Sequence, residues 1–250
     1  MMAILTEQEI FEGLPQLRDM LLESPDALLP HSIIIPYATY SPWLADMSFL
    51  TTFAAVGEYS LVDIYRCYEL WKLVEQVATL PGDLLEVGTW RGGSGALMAA
   101  QAKAKRMAKT VFLCDTFQGV VNAGAQDSVY QGGEHADTSI AMVSQLMDRL
   151  QLDNTRILAG IFPDQTGDVI ADLRFALCHI DVDVYQSARD SFNWVWSRLE
   201  PGGVVVFDDY GFANCDGVTK LVNDYHDYPG ALLVHNLNGH ALMIKTSDRW

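Results

Sequence analysis

Two runs of the chain each end in a pair of carboxylates. The first, His179-Ile180-Asp181-Val182-Asp183-Val184-Tyr185, carries Asp181 and Asp183, and the second, Val204-Val205-Val206-Phe207-Asp208-Asp209-Tyr210, carries Asp208 and Asp209. If the two apolar segments are neighbouring strands of one parallel sheet, their C-terminal ends lie side by side, at the edge where open α/β sheets hold ligands. Anions crowded there repel. At about 4 Å each pair costs roughly 4 kcal/mol at an effective dielectric near 20, so the cluster must protonate, splay apart or take up a cation. Oxygen-only ligands select a hard ion such as Mg2+ over zinc, which prefers His and Cys. Asp181 and Asp183, two apart, share a strand face, whereas Asp208 and Asp209 face opposite ways in a regular strand and reach one ion only if the strand ends there. The competing reading is that Asp208 and Asp209 merely terminate a strand and cap a turn.

A second group, Glu86-Val87-Gly88-Thr89-Trp90-Arg91-Gly92-Gly93-Ser94, follows an apolar segment and opens a helical one. Glycines so placed let backbone approach a ligand at a helix N-terminus. A dinucleotide fingerprint needs glycine at position 90 so that pyrophosphate comes close, and Trp90 stands there. NAD is disfavoured, and adenosine without pyrophosphate fits better. Asp115, ending the next strand candidate, is placed to accept two ribose hydroxyls, and Phe117 offers an apolar face. A tight strand-to-helix turn with no ligand explains the same glycines. His179 reads as a satisfied core imidazole, and His135 as a loop histidine that either meets substrate or is solvated. Tyr185 and Tyr210 either wall an acceptor pocket or pack, and Trp194 and Trp196 read as core.

The elements that would position these residues alternate. Thr6 and Glu9 form a capping-box pattern ahead of Ile10, Leu14, Leu17 and Leu21 at helical spacing, so a helix is expected to about Ser24. Pro25, Pro30, Pro36 and Pro42 then punctuate an irregular connection. A wide apolar stripe predicts a helix over 61–79, closed by Pro81-Gly82. Strand candidates follow at Leu84–Gly88, Thr110–Asp115, Arg156–Gly160, Phe175–Ile180 and Gly203–Asp208, with helical or loop segments between them. That rhythm means a parallel sheet covered on both faces. Ala231–His235 and His240–Lys245 flank Asn236-Leu237-Asn238-Gly239, a hairpin signal, so an antiparallel pair should finish the sheet. Gln118–Asp137, polar and glycine-rich, is the one long loop, a lid or plain surface.

Composition bounds the partners. The 250 residues carry 16 basic against 32 acidic side chains, a formal charge of −16, which argues against nucleic acid and anionic membrane surfaces. Cys67, Cys114, Cys178 and Cys215 are widely spaced and read as buried, reduced thiols of a cytoplasmic protein. The N-terminus lacks a basic n-region, and no apolar run approaches the roughly 18 residues of a membrane span.

Glu86-Val87-Gly88-Thr89-Trp90-Arg91-Gly92-Gly93, Cys114-Asp115-Thr116-Phe117-Gln118-Gly119, Asp181-Val182-Asp183-Val184-Tyr185-Gln186-Ser187, and Leu199-Glu200-Pro201-Gly202-Gly203 through Asp208-Asp209-Tyr210 together resemble the macrocin-type O-methyltransferases. That family uses S-adenosylmethionine and a metal to methylate hydroxyls, often on sugars of natural products. The resemblance implies an α/β, Rossmann-like class I methyltransferase fold over residues 59–250, mainly parallel with a C-terminal antiparallel hairpin, behind an N-terminal helical appendage over 1–58. It implies that Asp181, Asp208 and Asp209 hold Mg2+ and that Asp183 is the general base. Cofactor contacts are implied for Ser60, Glu86, Gly88, Arg91, Ser94, Asp115, Thr116, Phe117, Gly160 and Phe162. The chain departs from the family in carrying Val182 between the two aspartates, where glycine is common, and Pro163 after Phe162. The expected partner is a small hydroxylated acceptor, in a homo-oligomeric enzyme. A catechol or phenol acceptor is the nearest rival. From other classes, a nicotinamide oxidoreductase is disfavoured by Trp90 and the lack of a Tyr-x-x-x-Lys pair, and a noncatalytic partner by the intact carboxylate set.

Overall fold

The computed structural model describes residues 40–247. The helix expected from Ile10 to Ser24 lies outside the described residues. By its internal contacts the chain divides into Met1–Ala45 and Asp46–Trp250. Of the first unit, what is described ends in a 3-10 turn, Pro42–Ala45.

In the second unit, helix α1 (Met47–Val56) starts at Asp46, whose Oδ1 accepts the Phe49 N–H at 3.0 Å. The other oxygen of Asp46 accepts from Trp71 Nε1 at 3.1 Å, which ties this cap to α2 (Ile64–Gln76). Asp63 caps α2, accepting the N–H groups of Tyr65 and Arg66, so that helix begins three residues later than the apolar stripe suggests. Its buried face carries Cys67, Leu70, Trp71 and Val74, and also Arg66.

Then the alternation begins, through β1 (Asp83–Val87), α3 (Gly93–Ala104), β2 (Val111–Asp115), α4 (Ile140–Arg149), β3 (Thr155–Ala159), β4 (Phe175–Ile180), α5 (Tyr185–Trp196), β5 (Leu199–Phe207) and α6 (Asp216–Asp224). The hairpin β6 (Ala231–His235) and β7 (Ala241–Lys245) closes it. The sheet order is β3-β2-β1-β4-β5-β7-β6. Strands β1 to β5 pair in parallel, and β7 runs antiparallel between β5 and β6. Each expected strand is present, and β5 starts four residues before the apolar run, taking in Leu199 to Gly202. The core on one face includes Leu85, Cys114, Phe175, Phe192, Trp196 and Phe207, all essentially without exposure. All four cysteines are free and buried. No described helix is long and apolar enough to cross a membrane.

Strand order reverses between β1 and β4, and the two chain segments leaving those strands nearly touch. Gly88, at φ +90°, has no room for a side chain: a Cβ there would sit 1.6 Å from the Asp181 carbonyl oxygen. Backbone contact replaces it, with the Asp181 N–H donating to Val87 O at 2.8 Å. Only glycine meets both demands. Gly88→Ala is therefore expected to lower unfolding free energy by at least about 3 kcal/mol in urea titrations, and a loss below about 0.5 kcal/mol would show that the two strand ends part freely.

Candidate active site

Every parallel strand sends its C-terminal end to one cavity of 320 Å3. Gly88, Thr89 and Trp90 follow β1, Asp115 and Thr116 end β2, Gly160 and Phe162 follow β3, Asp181 and Asp183 follow β4, and Asp208 and Asp209 follow β5. Helix α3 contributes Ser94 from its first turn, and Ser60 and Arg66 come from the approach to and first turn of α2. The position is that of a ligand crevice at a switch in strand order.

β4 stops at Ile180, so Asp181 and Asp183 lie in the turn into α5 and not on a strand face as the alternation suggested. β5 stops at Phe207. Asp183 and Asp209 then adopt φ +65° and +62°, the left-handed region, which turns the chain so that neighbouring carboxylates aim the same way. Asp181, Asp208 and Asp209 each bring an oxygen within 4.8 Å of the others. The strand end needed for Asp208 and Asp209 to converge is thus present.

Their surroundings differ sharply. Asp208, 2% exposed, accepts from Arg66 Nη1 at 2.7 Å and lies 3.0 Å from His240 Nε2, and these cations hold it well below the usual carboxylate range against the opposing effect of burial. Asp209 shares Arg66 at 3.2 Å, yet burial and the nearby Asp208 and Asp183 push its carboxyl up to about 7. Asp181 has no ion pair among the described residues, and burial with the Asp208 charge raises it strongly. Burial also raises Asp183, whose Oδ1 lies 3.9 Å from Cys215 Sγ. Arg66, 6% exposed, is itself aimed by Asp63, whose Oδ2 accepts from Nε at 2.8 Å, and lies 4.9 Å from the centre of the Phe212 ring. Burial would lower His240, but hydrogen bonds to Asp208 and Glu69 outweigh it and bring the imidazole to about 8.

Of the residues expected to contact the cofactor, Ser60, Gly88, Ser94, Asp115, Thr116, Gly160 and Phe162 line the same cavity. Asp115 is already busy. Its Oδ2 accepts the N–H groups of Thr89 at 2.8 Å and Trp90 at 2.7 Å, and its Oδ1 that of Phe117 at 2.6 Å. Of about four acceptor positions on a carboxylate, one remains for a ribose hydroxyl rather than two. Three expected contacts lie off the cavity wall. Glu86 is buried beneath it, with Oε1 3.1 Å from His179 Nδ1. Arg91 turns outward, pairing with Asp137 and resting 4.3 Å from the Trp90 ring centre. Phe117 does not reach the wall.

The long loop also belongs to the site. It has no helix or strand, yet Val120 and Glu134 are bridged across it, and Asp127 Oδ1 accepts the Tyr185 N–H at 2.9 Å, capping α5 from a distance. Val120, Val121, Tyr130 and His135 line the cavity, with Tyr130 Oη 3.3 Å from His135 Nε2. Tyr185 and Tyr210 are not on the wall: Tyr210 stacks on His235 and Tyr185 bonds Asp224. Arg66, Tyr130 and His240 escaped the sequence reading. For Arg66 a signal existed, a cation on the apolar stripe of its helix between Val62 and Leu70.

A seven-stranded sheet of this order, with its ligand cavity at the parallel strand ends and β7 antiparallel, is the class I methyltransferase fold. The solved structure of the O-methyltransferase NovP superposes with a TM-score of 0.66 and 26% identity, covering 76% of this chain and 83% of that one. Residues 52–232 match the macrocin-O-methyltransferase (TylF) family, and the chain belongs to it. It is 33% identical over 184 residues, 69% of the chain and 68% of the relative, to 8-demethyl-8-(2,3-dimethoxy-alpha-L-rhamnosyl)-tetracenomycin-C 4'-O-methyltransferase of Streptomyces olivaceus. Mycinamicin III 3''-O-methyltransferase of Micromonospora griseorubida is 31% identical over 186 residues, 69% of this chain and 72% of that protein. The chain is therefore an O-methyltransferase, and the nicotinamide and noncatalytic alternatives fall.

Removing Arg66 would strand buried carboxylates. Arg66→Met is expected to cost about 3–5 kcal/mol in denaturant titrations with EDTA present, and Asp208→Asn in the same chain should restore part of it. A single variant as stable as the parent would mean that Asp208 is not ionised in the fold.

Proposed function

We propose that the protein transfers the methyl group of S-adenosylmethionine to a sugar hydroxyl of a glycosylated natural product, with Mg2+ at Asp181, Asp208 and Asp209 and with Asp183 as the base. The observation that carries this reading is the convergence of three carboxylates within 4.8 Å beside Asp183, on the wall of a cavity that Gly88, Ser94, Asp115 and Gly160 also line.

The residues suit both groups. Arg66 and His240 serve Asp208 and Asp209, but Asp181 faces them without a cation among the described residues, an all-oxygen concentration of charge that a hard divalent ion relieves. Gly88 and Gly160 offer backbone without side chains, while Ser94, Asp115 and Phe162 supply a hydroxyl, a carboxylate and an apolar ring for an adenosine and its amino-acid tail. When bound, the ion supplies the positive charge that eases ionisation of a neighbouring hydroxyl, and the cofactor supplies an electrophilic methyl.

What the chain does is accept a proton and hold atoms in line. Asp183 would take the acceptor's hydroxyl proton, leaving the oxygen free to accept the methyl group that the cofactor would supply. Burial raises its carboxyl, the direction that suits a group meant to take up a proton. Tyr130, His135 and Val121 from the long loop wall the side on which an acceptor would lie. Orientation of oxygen, carbon and sulfur contributes several kcal/mol without a covalent enzyme intermediate. A glycoside acceptor is favoured because the relatives' names specify such molecules: a rhamnosyl-tetracenomycin in one and mycinamicin III in another.

Incubation with methyl-labelled cofactor, Mg2+ and a panel of glycosylated metabolites, read by mass spectrometry, should yield a singly methylated sugar. Labelling of simple catechols in preference to every glycoside would overturn the acceptor. Asp183→Asn should lower kcat by about 10²–10⁴-fold while S-adenosylhomocysteine binds as before in calorimetry. Full turnover in EDTA would remove the metal from the reading.

Stability should also report the charge crowd. In EDTA, Asp209 binds a proton in the fold up to about 7 but only to 3.8 when unfolded, so stability falls as pH rises across that window. His240, raised from 6.5 to about 8, adds a loss in the same sense as pH rises through 8. Melting temperature measured against pH should therefore decline toward neutrality in EDTA, and excess Mg2+, which binds the ionised carboxylates, should flatten or reverse the slope.

A further inference from the structure

Asp208 is held by one oxygen only. Its Oδ1 accepts from Arg66 Nη1 at 2.7 Å and sits at ion-pair distance, 3.0 Å, from His240 Nε2, so both cations gather at the same atom. Oδ2 makes no hydrogen bond or ion pair among the described residues. Behind His240 the arrangement continues: its Nδ1 lies 2.7 Å from Glu69 Oε2, and Asn238 Nδ2 donates to the same oxygen at 3.1 Å. Asn236 Nδ2 donates to Glu69 Oε1, and Asn238 Oδ1 accepts the His240 N–H at 3.0 Å. The hairpin turn thus grips Glu69, and Glu69 and the turn grip the imidazole. Neither His240 nor Glu69 reaches the cavity, so whatever they contribute to the site passes through Asp208.

We propose that Glu69 and His240 are positioning residues that, with Arg66 opposite, lock the Asp208 carboxylate by Oδ1 and leave Oδ2 alone facing the cavity as a single-oxygen ligand. The proposal rests on the reading of Asp208 as an ion ligand. A packing role alone does not call for these residues. His240 is fully buried, and an apolar side chain of similar volume would cover the end of β5 without the desolvation of an imidazole and a carboxylate. What the polar pair adds is a fixed rotation of one carboxylate. A ligating side chain held from behind by hydrogen bonds binds its ion more tightly than a freely turning one, commonly by ten- to a hundredfold.

The test is calorimetric titration of Mg2+ into the full chain and into Glu69→Gln, His240→Gln and His240→Ala, with S-adenosylhomocysteine titrated separately. Glu69→Gln should raise the Mg2+ Kd about tenfold, and His240→Ala up to about a hundredfold. His240→Gln, which keeps an N–H donor toward Asp208, should recover part of the loss, and S-adenosylhomocysteine affinity should stay within about twofold throughout. Should His240→Ala not fold, Glu69→Gln still decides, because glutamine keeps the side chain's size while removing the carboxylate charge that holds the imidazole. Unchanged Mg2+ affinity in Glu69→Gln and His240→Gln would overturn the clamp. An unmodified chain that takes up no Mg2+ would instead overturn the metal reading and the clamp with it, and the parent titration shows which has failed.

Discussion

Four carboxylates share the end of two adjacent buried strands, and the rest of the site is arranged around the repulsion that follows. The register that pairs Ile180 with Phe207 makes Asp181 and Asp208 neighbours, whatever their side chains would prefer. At such separations each unscreened pair costs a few kcal/mol, comparable to a sizeable part of a domain's whole stability. The protein answers unevenly. Asp208 receives two cations and stays an anion, Asp209 shares one of them, and Asp181 receives none. That division leaves one fixed negative charge and beside it carboxyls whose ionisation depends on what else arrives.

Backbone conformation makes the crowding possible. Asp183 and Asp209 both occupy the left-handed region, where a side chain costs about 1–2 kcal/mol relative to glycine. The surroundings hold these turns in place. Asp127 caps the helix that follows Asp183, and Thr219 Oγ1 accepts the Gly211 N–H at 2.9 Å just after Asp209. Gly88 supplies the third element of the geometry, since the close approach of β1 to the chain leaving β4 seats bare backbone next to the carboxylates. The backbone wall and the charged rim are consequences of one topological fact, the switch in strand order between the paired strands β1 and β4.

The parts of this arrangement that depend on neighbouring residues were readable in the sequence. Apolar runs of strand length, the Asn-Gly turn and the glycines after β1 have local causes, so the strands, the closing hairpin and the turn at Gly88 lie where spacing put them. Contacts between distant segments were not readable. Nothing near Asp115 in the chain announces that its carboxylate braces the Thr89 and Trp90 N–H groups, and nothing near Arg91 announces Asp137, which turns it away from the cavity. Arg66 and Asp208 are 142 residues apart, and Glu69 and His240 are 171 apart. Periodicity marks Arg66 as misplaced on an apolar face, but only the folded sheet says for which carboxylate.

The antiparallel strand explains how a residue so near the C-terminal end reaches the active edge. A parallel β7 would present its far end, near Lys245, to the ends of β4 and β5. Running the other way, it pairs Ala241 with Phe207, and one step beyond that register His240 faces Asp208. Antiparallel pairing thus turns the first residues after a hairpin turn into active-site neighbours, and the turn itself, through Asn236 and Asn238, lies where it can hold Glu69. The hairpin that breaks the β–α rhythm at the end of the chain is therefore more than a sheet edge. It carries the His240 imidazole to the Asp208 carboxylate, and helix α2 brings the Arg66 guanidinium to the same oxygen. Asp208 is fixed because two segments from opposite ends of the domain close on it, which ties the shape of the charged rim to the completeness of the fold.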